Sequence, residues 1–364
     1  MKGTISKPRD LNHDTFYLTI IRAIATVAVV TLHIGSGSDT HLDIITRGIV
    51  SAINVWCVPA FFMITGALFI CVKEDFTVKE QIERTARLLF IVLIWNFLYS
   101  FISLAIINKG SNIKILSESI KMAACGETKY GYHLWYLYTA VGIYLTLPIL
   151  RMWLKRATKQ DHLFYIGICC LLSLVIPSCM RIMSDKVTQI WNGAFRYFTG
   201  YITYVLIGAY LHRYKLSKVT NFVLYISGMI VVIIYVIIGF IDVQELYDKI
   251  GYESVSAAIL TSAIFTGVKH FEIDNRRGRK TISIIANYSF SIYLLHVMVI
   301  QVLRKVLNIS SESAPLIISL PLLTGITITL CLLIAFLEKQ FILKIKKVPQ
   351  TWIKCVNGRN NEEG

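Results

Sequence analysis

Two ionisable residues stand inside the first apolar run of the chain, where such side chains are costly. The run FYLTIIRAIATVAVVTLHI contains Arg22 and His33. Placing a charge near the centre of a membrane helix costs roughly 2.5–3.5 kcal/mol on insertion scales. Histidine exchanges protons near neutral pH, and arginine binds anions through paired hydrogen bonds. The two residues are therefore candidates for proton transfer and anion binding.

Their spacing places both residues on one face of a helix. Arg22 and His33 are eleven positions apart, which brings them to within about 20° of each other around the axis and separates them by about 16 Å along it. Arg22 would lie in the cytoplasmic half of the span and His33 near its outer end. Taken singly, Arg22 could extend to the interface and His33 could simply end the helix. The shared stripe favours a functional site.

The elements that carry these residues must be membrane helices. The 364 residues are 55% hydrophobic and only 16% charged, whereas a soluble domain is about 25% charged. A helix crosses a bilayer with about 17 to 25 apolar residues. We therefore predict an all-α, polytopic membrane protein with about ten transmembrane helices. The predicted spans are residues 15–34, 49–70, 88–108, 134–150, 163–180, 198–211, 221–241, 254–268, 282–303 and 316–337.

The net charge of +15 is interpreted as topology. The N-terminus, the even-numbered connections and the C-terminal tail hold more than twice as many of the 37 Lys and Arg residues as the opposite side. Positive residues are retained in the cytoplasm, so both termini are predicted to be cytoplasmic. The predicted organisation is a cytoplasmic N-terminus (1–14), a membrane domain (15–339) and a cytoplasmic tail (340–364).

Other classes of protein fit the sequence poorly. The basic residues form no continuous face, so we expect membrane lipids around the chain and no nucleic acid as a partner. The eight cysteines form no CxxC pair, so neither a metal site nor a redox centre is expected. The longest polar connection, about 109–133, leaves no room for a soluble domain. The sequence sets no oligomeric state.

Five further residues are candidates for the same cavity. His296 lies well inside the ninth predicted span, too far from an end to reach the interface easily; an interhelical hydrogen bond is the alternative. His133 and Trp135 open the fourth span on its outer side. Aromatic rings there can stack on a sugar or simply anchor the helix at the interface. Tyr288 and Tyr293 are weaker candidates to line the cavity.

Five segments carry a family resemblance in the same order along the chain. They are Arg22 with His33, VPAFFMITGALF (58–69), ERTARLL (83–89), GYHLWYLYTAVGIYLTLPIL (131–150) and YSFSIYLLH (288–296). Together they resemble the acyltransferase-3 family of bacterial integral-membrane O-acyltransferases, although Thr65 stands where that family more often has serine. The fourth segment resembles members that acetylate enterobacterial-type surface polysaccharides. The resemblance runs from about residue 15 to residue 339.

The resemblance implies an O-acetyltransferase of the bacterial inner membrane, with acetyl-CoA as donor and a surface-polysaccharide sugar or its lipid-linked precursor as acceptor. His33 would be the general base. Arg22 would hold the donor or face the developing negative charge, and His296 would orient the acceptor or His33. Arg84 and Arg87, neighbours on the third span, would bind the CoA phosphates; ordinary positive-inside flanking is the alternative.

The remaining candidates would bind the acceptor, and no metal is implied. They are His133, Trp135, Tyr288 and Tyr293. Because the chain ends soon after the last predicted span, the chemistry is expected in the membrane domain, as in stand-alone polysaccharide acetyltransferases. Two alternatives stay open. One is a carrier or exporter of a glycan or lipid intermediate, and the other is an O-acyltransferase with another donor, such as succinyl-CoA.

Overall fold

The protein is helical throughout the part of the chain that the structure describes. The computed structural model describes residues 15–34, 41–72, 76–107, 111–183, 200–243, 251–271, 273, 275–305 and 316–344. These residues contain no strand, which confirms the predicted all-α class. Residues 1–14 and 345–364, which contain the predicted cytoplasmic N-terminus and nearly all of the predicted tail, lie outside the described part.

The described residues form fourteen α-helices. In chain order they are α1 (Phe16–Ile34), α2 (His41–Ile53), α3 (Cys57–Gly66), α4 (Val78–Ile107), α5 (Asn112–Cys125), α6 (Trp135–Arg156), α7 (Lys159–Cys170), α8 (Ile176–Met183), α9 (Ile202–Arg213), α10 (Lys218–Ile241), α11 (Val255–Lys269), α12 (Arg276–Asn287), α13 (Ser289–Lys305) and α14 (Leu316–Lys344). A π-helical turn, Ala67–Val72, continues α3, and another, Leu171–Val175, joins α7 to α8. A 3₁₀ turn, Tyr132–Leu134, leads into α6.

The described residues do not confirm the predicted number of spans. Within the described residues, seven helical segments are long and apolar enough to cross a membrane, or eight if α12 and α13 form one bent span. The predicted spans at 198–211 and 254–268 correspond to α9 and α11, which contain 12 and 15 residues. A hydrocarbon core of about 30 Å requires about 20 helical residues. A membrane protein with several spans is confirmed, but the number ten is not.

The ninth predicted span, 282–303, is not one straight helix. α12 and α13 meet at Tyr288 with a bend of 69°. Asn287 and Ser289 flank the bend, and both residue types compete with the helix for backbone hydrogen bonds. α12 begins with the basic run RRGRK, and its Arg279 lies 4.0 Å from the centre of the Phe16 ring. The basic start of α12 thus lies beside the first turn of α1.

Two other segments also depart from the predicted spans. The second, 49–70, is interrupted by a turn at 54–56, and Pro59 occupies the first turn of α3, where a missing N–H needs no partner. The polar connection 109–133 contains the helix α5. At the C-terminal side, α14 continues to Lys344, past the predicted boundary at residue 339.

α1 lies at the centre of the packing. It contacts α3, α11, α12, α13 and α14, and 61% of its span is buried, compared with 17% of the span formed by α10. Two apolar clusters meet along it: one around Ile21 and Ala25, and another around Val30 and Ile34. The helix that carries Arg22 and His33 is thus enclosed by protein, whereas α10 presents most of its surface outward.

The crossing of α3 with α9 depends on two glycines. A Cβ atom at Gly66 would lie 1.9 Å from the carbonyl oxygen of Val205, and one at Gly208 would lie 2.1 Å from that of Met63. Both obstacles are backbone atoms, which cannot rotate away. Small residues let membrane helices approach this closely, because association there relies on van der Waals packing. The two glycines therefore fix the distance between α3 and α9.

We expect Gly66→Ala and Gly208→Ala each to destabilise the protein, because a methyl group forces the two backbones apart. Overpacking of this kind typically costs about 1–3 kcal/mol. Gly142→Ala and Gly167→Ala are matched controls, since a Cβ at either helical position meets nothing within 4 Å. Thermal unfolding in detergent measures the difference. Equal midpoints for the crossing variants and the controls would contradict this account.

Candidate functional site

Three histidines from distant segments meet at one end of the buried helix α1. The ring centre of His33 lies 5.0 Å from that of His296 and 6.3 Å from that of His133, and the latter two are 5.1 Å apart. His33 was predicted as a base, His296 as an orienting group and His133 as part of the acceptor entrance. The structure brings all three together. We call them the histidine cluster.

Each histidine is placed by a different local feature. His33 stands in the last turn of α1 and is half-buried. His133 lies in the 3₁₀ turn before α6 and is 2% exposed, next to the fully buried Leu134. His296 lies in the middle of α13 and is 0% exposed. The cluster therefore needs α1, the turn before α6 and α13 to be packed together.

Tyrosine hydroxyl groups hold these three elements in place. Tyr293 of α13 donates to the backbone carbonyl of His133, which joins α13 to the 3₁₀ turn. Tyr99 of α4 donates to the carbonyl oxygen of Leu294 at 2.8 Å and accepts from the Met298 N–H at 3.2 Å. The Tyr99 ring also lies 5.0 Å from that of His133. Thus α4 fixes both the depth of α13 and the position of His133.

Tyr132 contacts the cluster from the outer side. Its hydroxyl lies 3.1 Å from Nδ1 of His33, and their ring centres are 5.3 Å apart. Tyr132 is 47% exposed, so the surface of the described fold lies next to the cluster on this side. The segment GYHLWYL was singled out in the sequence, but Tyr132 itself was not chosen as a site residue, because nothing in the sequence shows that this turn folds against the end of α1.

Several nitrogen atoms of the cluster are buried without a hydrogen-bond partner among the described residues. They are both ring nitrogens of His133 and Nε2 of His296. Leaving such a group unsatisfied costs about 1–3 kcal/mol, and buried polar groups in folded proteins rarely lack a partner. In the described part of the chain, no group of His, Cys, Asp or Glu has the arrangement of a metal site. The arrangement suits hydroxyl groups of a bound molecule.

Arg22 lies farther along α1 and faces α6. Its guanidinium has the hydroxyls of Tyr136 and Tyr144 as electrostatic neighbours. These tyrosines are eight positions, or about two turns, apart on α6. The Tyr136 ring is 5.6 Å from that of Tyr293. Polar groups thus run from the level of Arg22 to the histidine cluster, as the predicted stripe on α1 required.

Arg84 extends this line of polar groups away from the cluster. It is half-buried, its Nη1 has no hydrogen-bond partner among the described residues, and it is an electrostatic neighbour of Tyr144. Its guanidinium lies 5.3 Å from the centre of the Phe76 ring, and the guanidinium of Arg151 lies 4.8 Å from the same centre. Sequence reasoning missed Arg151, which looked like an ordinary basic residue near the end of a span.

Arg87, the other predicted phosphate ligand, points elsewhere. It is exposed, and its Nε donates to the carbonyl oxygen of Glu83, one turn back on α4, at 3.1 Å. Arg84 is half-buried beside Phe76. Although the two arginines are neighbours on α4, it is Arg84 that is an electrostatic neighbour of Tyr144, on the line of polar groups that leads to Arg22.

The two remaining candidates lie outside the histidine cluster. The Trp135 ring packs 5.7 Å from Tyr252 at an interplanar angle of 28°, and 5.6 Å from Tyr201. It reaches the cluster only through its neighbour Tyr136. Tyr288 lies at the bend between α12 and α13 and packs against the apolar residues shared by α1, α13 and α14. Trp135 thus belongs to an aromatic stack, and Tyr288 occupies an apolar packing position.

Comparison with known proteins identifies the family of the chain. A family model described as an acyltransferase domain matches residues 15–336, which include every candidate residue named above. None of the curated proteins and none of the solved structures compared with the chain matches it. Since the family model covers most of its length, the chain belongs to the acyltransferase-3 family and is a membrane acyltransferase.

Proposed function

We propose that the protein transfers an acetyl group from cytoplasmic acetyl-CoA to a sugar hydroxyl of a surface polysaccharide or of its lipid-linked precursor, in the bacterial inner membrane. One observation carries the proposal: a buried histidine cluster with unsatisfied nitrogen atoms lies at one end of α1, and a line of polar groups leads from it past Arg22 to Arg84. Both predicted topology and family membership agree with donor entry from the cytoplasm.

The chemistry assigned to the cluster is one proton transfer coupled to acyl transfer. His33 removes the proton of the acceptor hydroxyl as its oxygen attacks the thioester carbonyl, because a neutral alcohol is a poor nucleophile. The new C–O bond forms, and collapse of the tetrahedral intermediate breaks the C–S bond. The CoA thiolate leaves and takes the proton from His33. The reaction therefore ends with a sugar ester, free CoA and a neutral histidine.

Arg22 supplies positive charge inside the membrane domain. A negative charge develops on the thioester oxygen during attack, and a fixed cation in a water-poor site stabilises it far more than it would in water. No carboxylate of the described residues forms an ion pair with Arg22, and its electrostatic neighbours are the neutral hydroxyls of Tyr136 and Tyr144. Its charge is thus available to the donor or to the intermediate.

Arg84 is assigned to the phosphates of CoA. Its half-buried guanidinium lies against the Phe76 ring, as does that of Arg151, so two cationic side chains stand at this end of the line. Arginine binds phosphate in a bidentate geometry. The hydroxyl of Tyr144 lies between Arg84 and Arg22 on the line towards the histidine cluster. The acyl-carrying arm of the donor would extend along this line.

The acceptor is assigned to the opposite end of the line. Tyr132 is partly exposed beside His33, and the stack of Trp135, Tyr201 and Tyr252 lies on the neighbouring side of α6. Aromatic faces of this kind can pack against the apolar face of a sugar ring. The acceptor would thus enter from the outer side, opposite to the donor.

We expect His33→Ala to abolish transfer of label from [¹⁴C]acetyl-CoA to glycan in membranes that contain the protein. His33→Gln should be equally inactive, because an amide forms hydrogen bonds but does not accept the proton of an alcohol. Arg22→Ala should lower the rate by at least about 100-fold, as removal of an electrostatic group typically does.

The outcome also separates the competing functions. Transfer that survives in His33→Ala would contradict the mechanism. Absence of acyl transfer to any glycan by the unmodified protein, together with export of unmodified glycan, would instead favour the carrier. Label transfer from succinyl-CoA but not from acetyl-CoA would identify succinyl-CoA as the donor. The histidine cluster would then remain the proposed site.

We expect Tyr132→Phe to lower the transfer rate about tenfold. The substitution removes the hydroxyl that lies 3.1 Å from Nδ1 of His33, and one such hydrogen bond contributes about 1 kcal/mol or more. Tyr165→Phe is the matched control, because Tyr165 is an exposed residue of α7 that packs against Trp153, away from the histidine cluster. Rates normalised to the amount of folded protein provide the measurement. An unchanged rate for Tyr132→Phe would show that His33 does not depend on it.

Arg84→Ala should raise the KM for acetyl-CoA about tenfold or more, since a charge-assisted hydrogen bond to phosphate is lost. Arg87→Ala should have a smaller effect, because its side chain is exposed and bonded to its own helix. Arg156→Ala, an exposed position at the end of α6, serves as the control for loss of surface charge. If all three variants share one KM, the donor does not bind at Arg84.

A further inference from the structure

The protonation of His296 is set by the backbone around it. Its Nδ1 lies 2.7 Å from the carbonyl oxygen of Tyr293 and 3.2 Å from that of Ile292. A carbonyl oxygen can only accept a hydrogen bond, so Nδ1 must carry the proton. In the neutral ring, Nε2 then holds a lone pair and can only accept. The structure therefore fixes the tautomer of His296 without reference to any ligand.

The lone pair of His296 has nothing to accept from within the described protein. The side chain is 0% exposed, and Nε2 has no hydrogen-bond partner among the described residues. A buried acceptor of this kind is satisfied by whatever binds there. The group that donates a hydrogen bond to Nε2 must reach a position beside His33, whose ring centre is 5.0 Å away, and beside His133, at 5.1 Å.

We propose that Nε2 of His296 accepts a hydrogen bond from a second hydroxyl of the acceptor, on the carbon next to the hydroxyl that is acylated. The acceptor class is then a sugar with a vicinal diol. The inference rests on the proposed function and goes beyond it, because it names the chemical pattern that the site recognises and makes His296 a specificity-determining residue.

The geometry favours neighbouring hydroxyls over distant ones. The ring centres of His33 and His296 are 5.0 Å apart, so two oxygen atoms of one small group can approach one ring each. Gauche hydroxyl oxygens on adjacent sugar carbons lie about one hydrogen-bond length apart, so a vicinal diol can present one oxygen to each ring. One hydroxyl gives its proton to His33, and its neighbour donates to His296 and keeps its own proton. No additional reactant is needed.

Two variants of His296 test the hydrogen bond. His296→Gln can place an amide oxygen near the position of Nε2, so it keeps an acceptor but not a base. His296→Leu keeps comparable bulk without any acceptor. We expect Gln to retain transfer of label from [¹⁴C]acetyl-CoA within about threefold, and Leu to lose it at least tenfold, at equal amounts of folded protein. Equal loss in both variants, or full activity of the Leu variant, would overturn the proposal.

A second measurement does not depend on how well any variant folds. Membranes with the unmodified protein are supplied with acetyl-CoA labelled with ¹³C, and NMR of the purified glycan locates the acetylated carbon. We expect a free hydroxyl on a neighbouring carbon. A deoxy carbon, an N-acetyl group or a glycosidic bond at every neighbouring position would overturn the diol assignment and leave the acetyltransferase intact. If the unmodified protein labels no glycan, the proposed function fails, and the inference fails with it.

Discussion

The hydrogen bond from the Tyr293 hydroxyl to the backbone carbonyl of His133 is the contact on which the site depends. It joins α13 to the 3₁₀ turn before α6, two segments that are otherwise far apart along the chain. Tyr99 adds a second connection, from α4 to the backbone of α13. In an apolar interior such bonds have little competition from water. They hold His133 and His296 against the end of α1.

The same interior explains why so few polar residues carry the function. Each unsatisfied polar atom is costly away from water, so most buried hydroxyls bond to the carbonyl one turn back on their own helix, as Thr26 and Thr65 do. Four of the buried side-chain atoms that lack a hydrogen-bond partner among the described residues belong to His133, His296 and Arg84, and the others lie elsewhere in the fold. Stability alone does not require the atoms of His133, His296 and Arg84, and a substrate with hydroxyl and phosphate groups would satisfy them.

Close packing between other helices stabilises the position of α1. The α3–α9 crossing brings two backbones into contact at Gly66 and Gly208, and α3 in turn packs against α1. α1 is therefore enclosed on several sides, so its polar stripe faces protein rather than lipid. A polar stripe on α10, whose span is largely exposed, would not be enclosed in this way.

The sequence by itself determined the class of the protein, the approximate position of most helices and the residues that membrane insertion makes expensive. Length and composition decide these features, because an apolar run of sufficient length must be helical in a bilayer. It also indicated Arg22 with His33 on one stripe, Arg84 with Arg87 on the third span, and His296 by its depth, and its motifs predicted the family that the family model confirmed. It could not show that α12 and α13 meet at a sharp bend, or that α9 and α11 are short.

Only the tertiary structure decided which of those residues belong together. The turn before α6 brings Tyr132 and His133 to His33, a contact between residues about 100 positions apart for which the sequence carries no local signal. The tertiary structure also brings Arg84 and Arg151 to the Phe76 ring, and it places Arg87 and Tyr288 outside the histidine cluster. The physical reason is that the cost of burying a polar side chain can be estimated from its residue type and depth, whereas its partner depends on how distant helices pack.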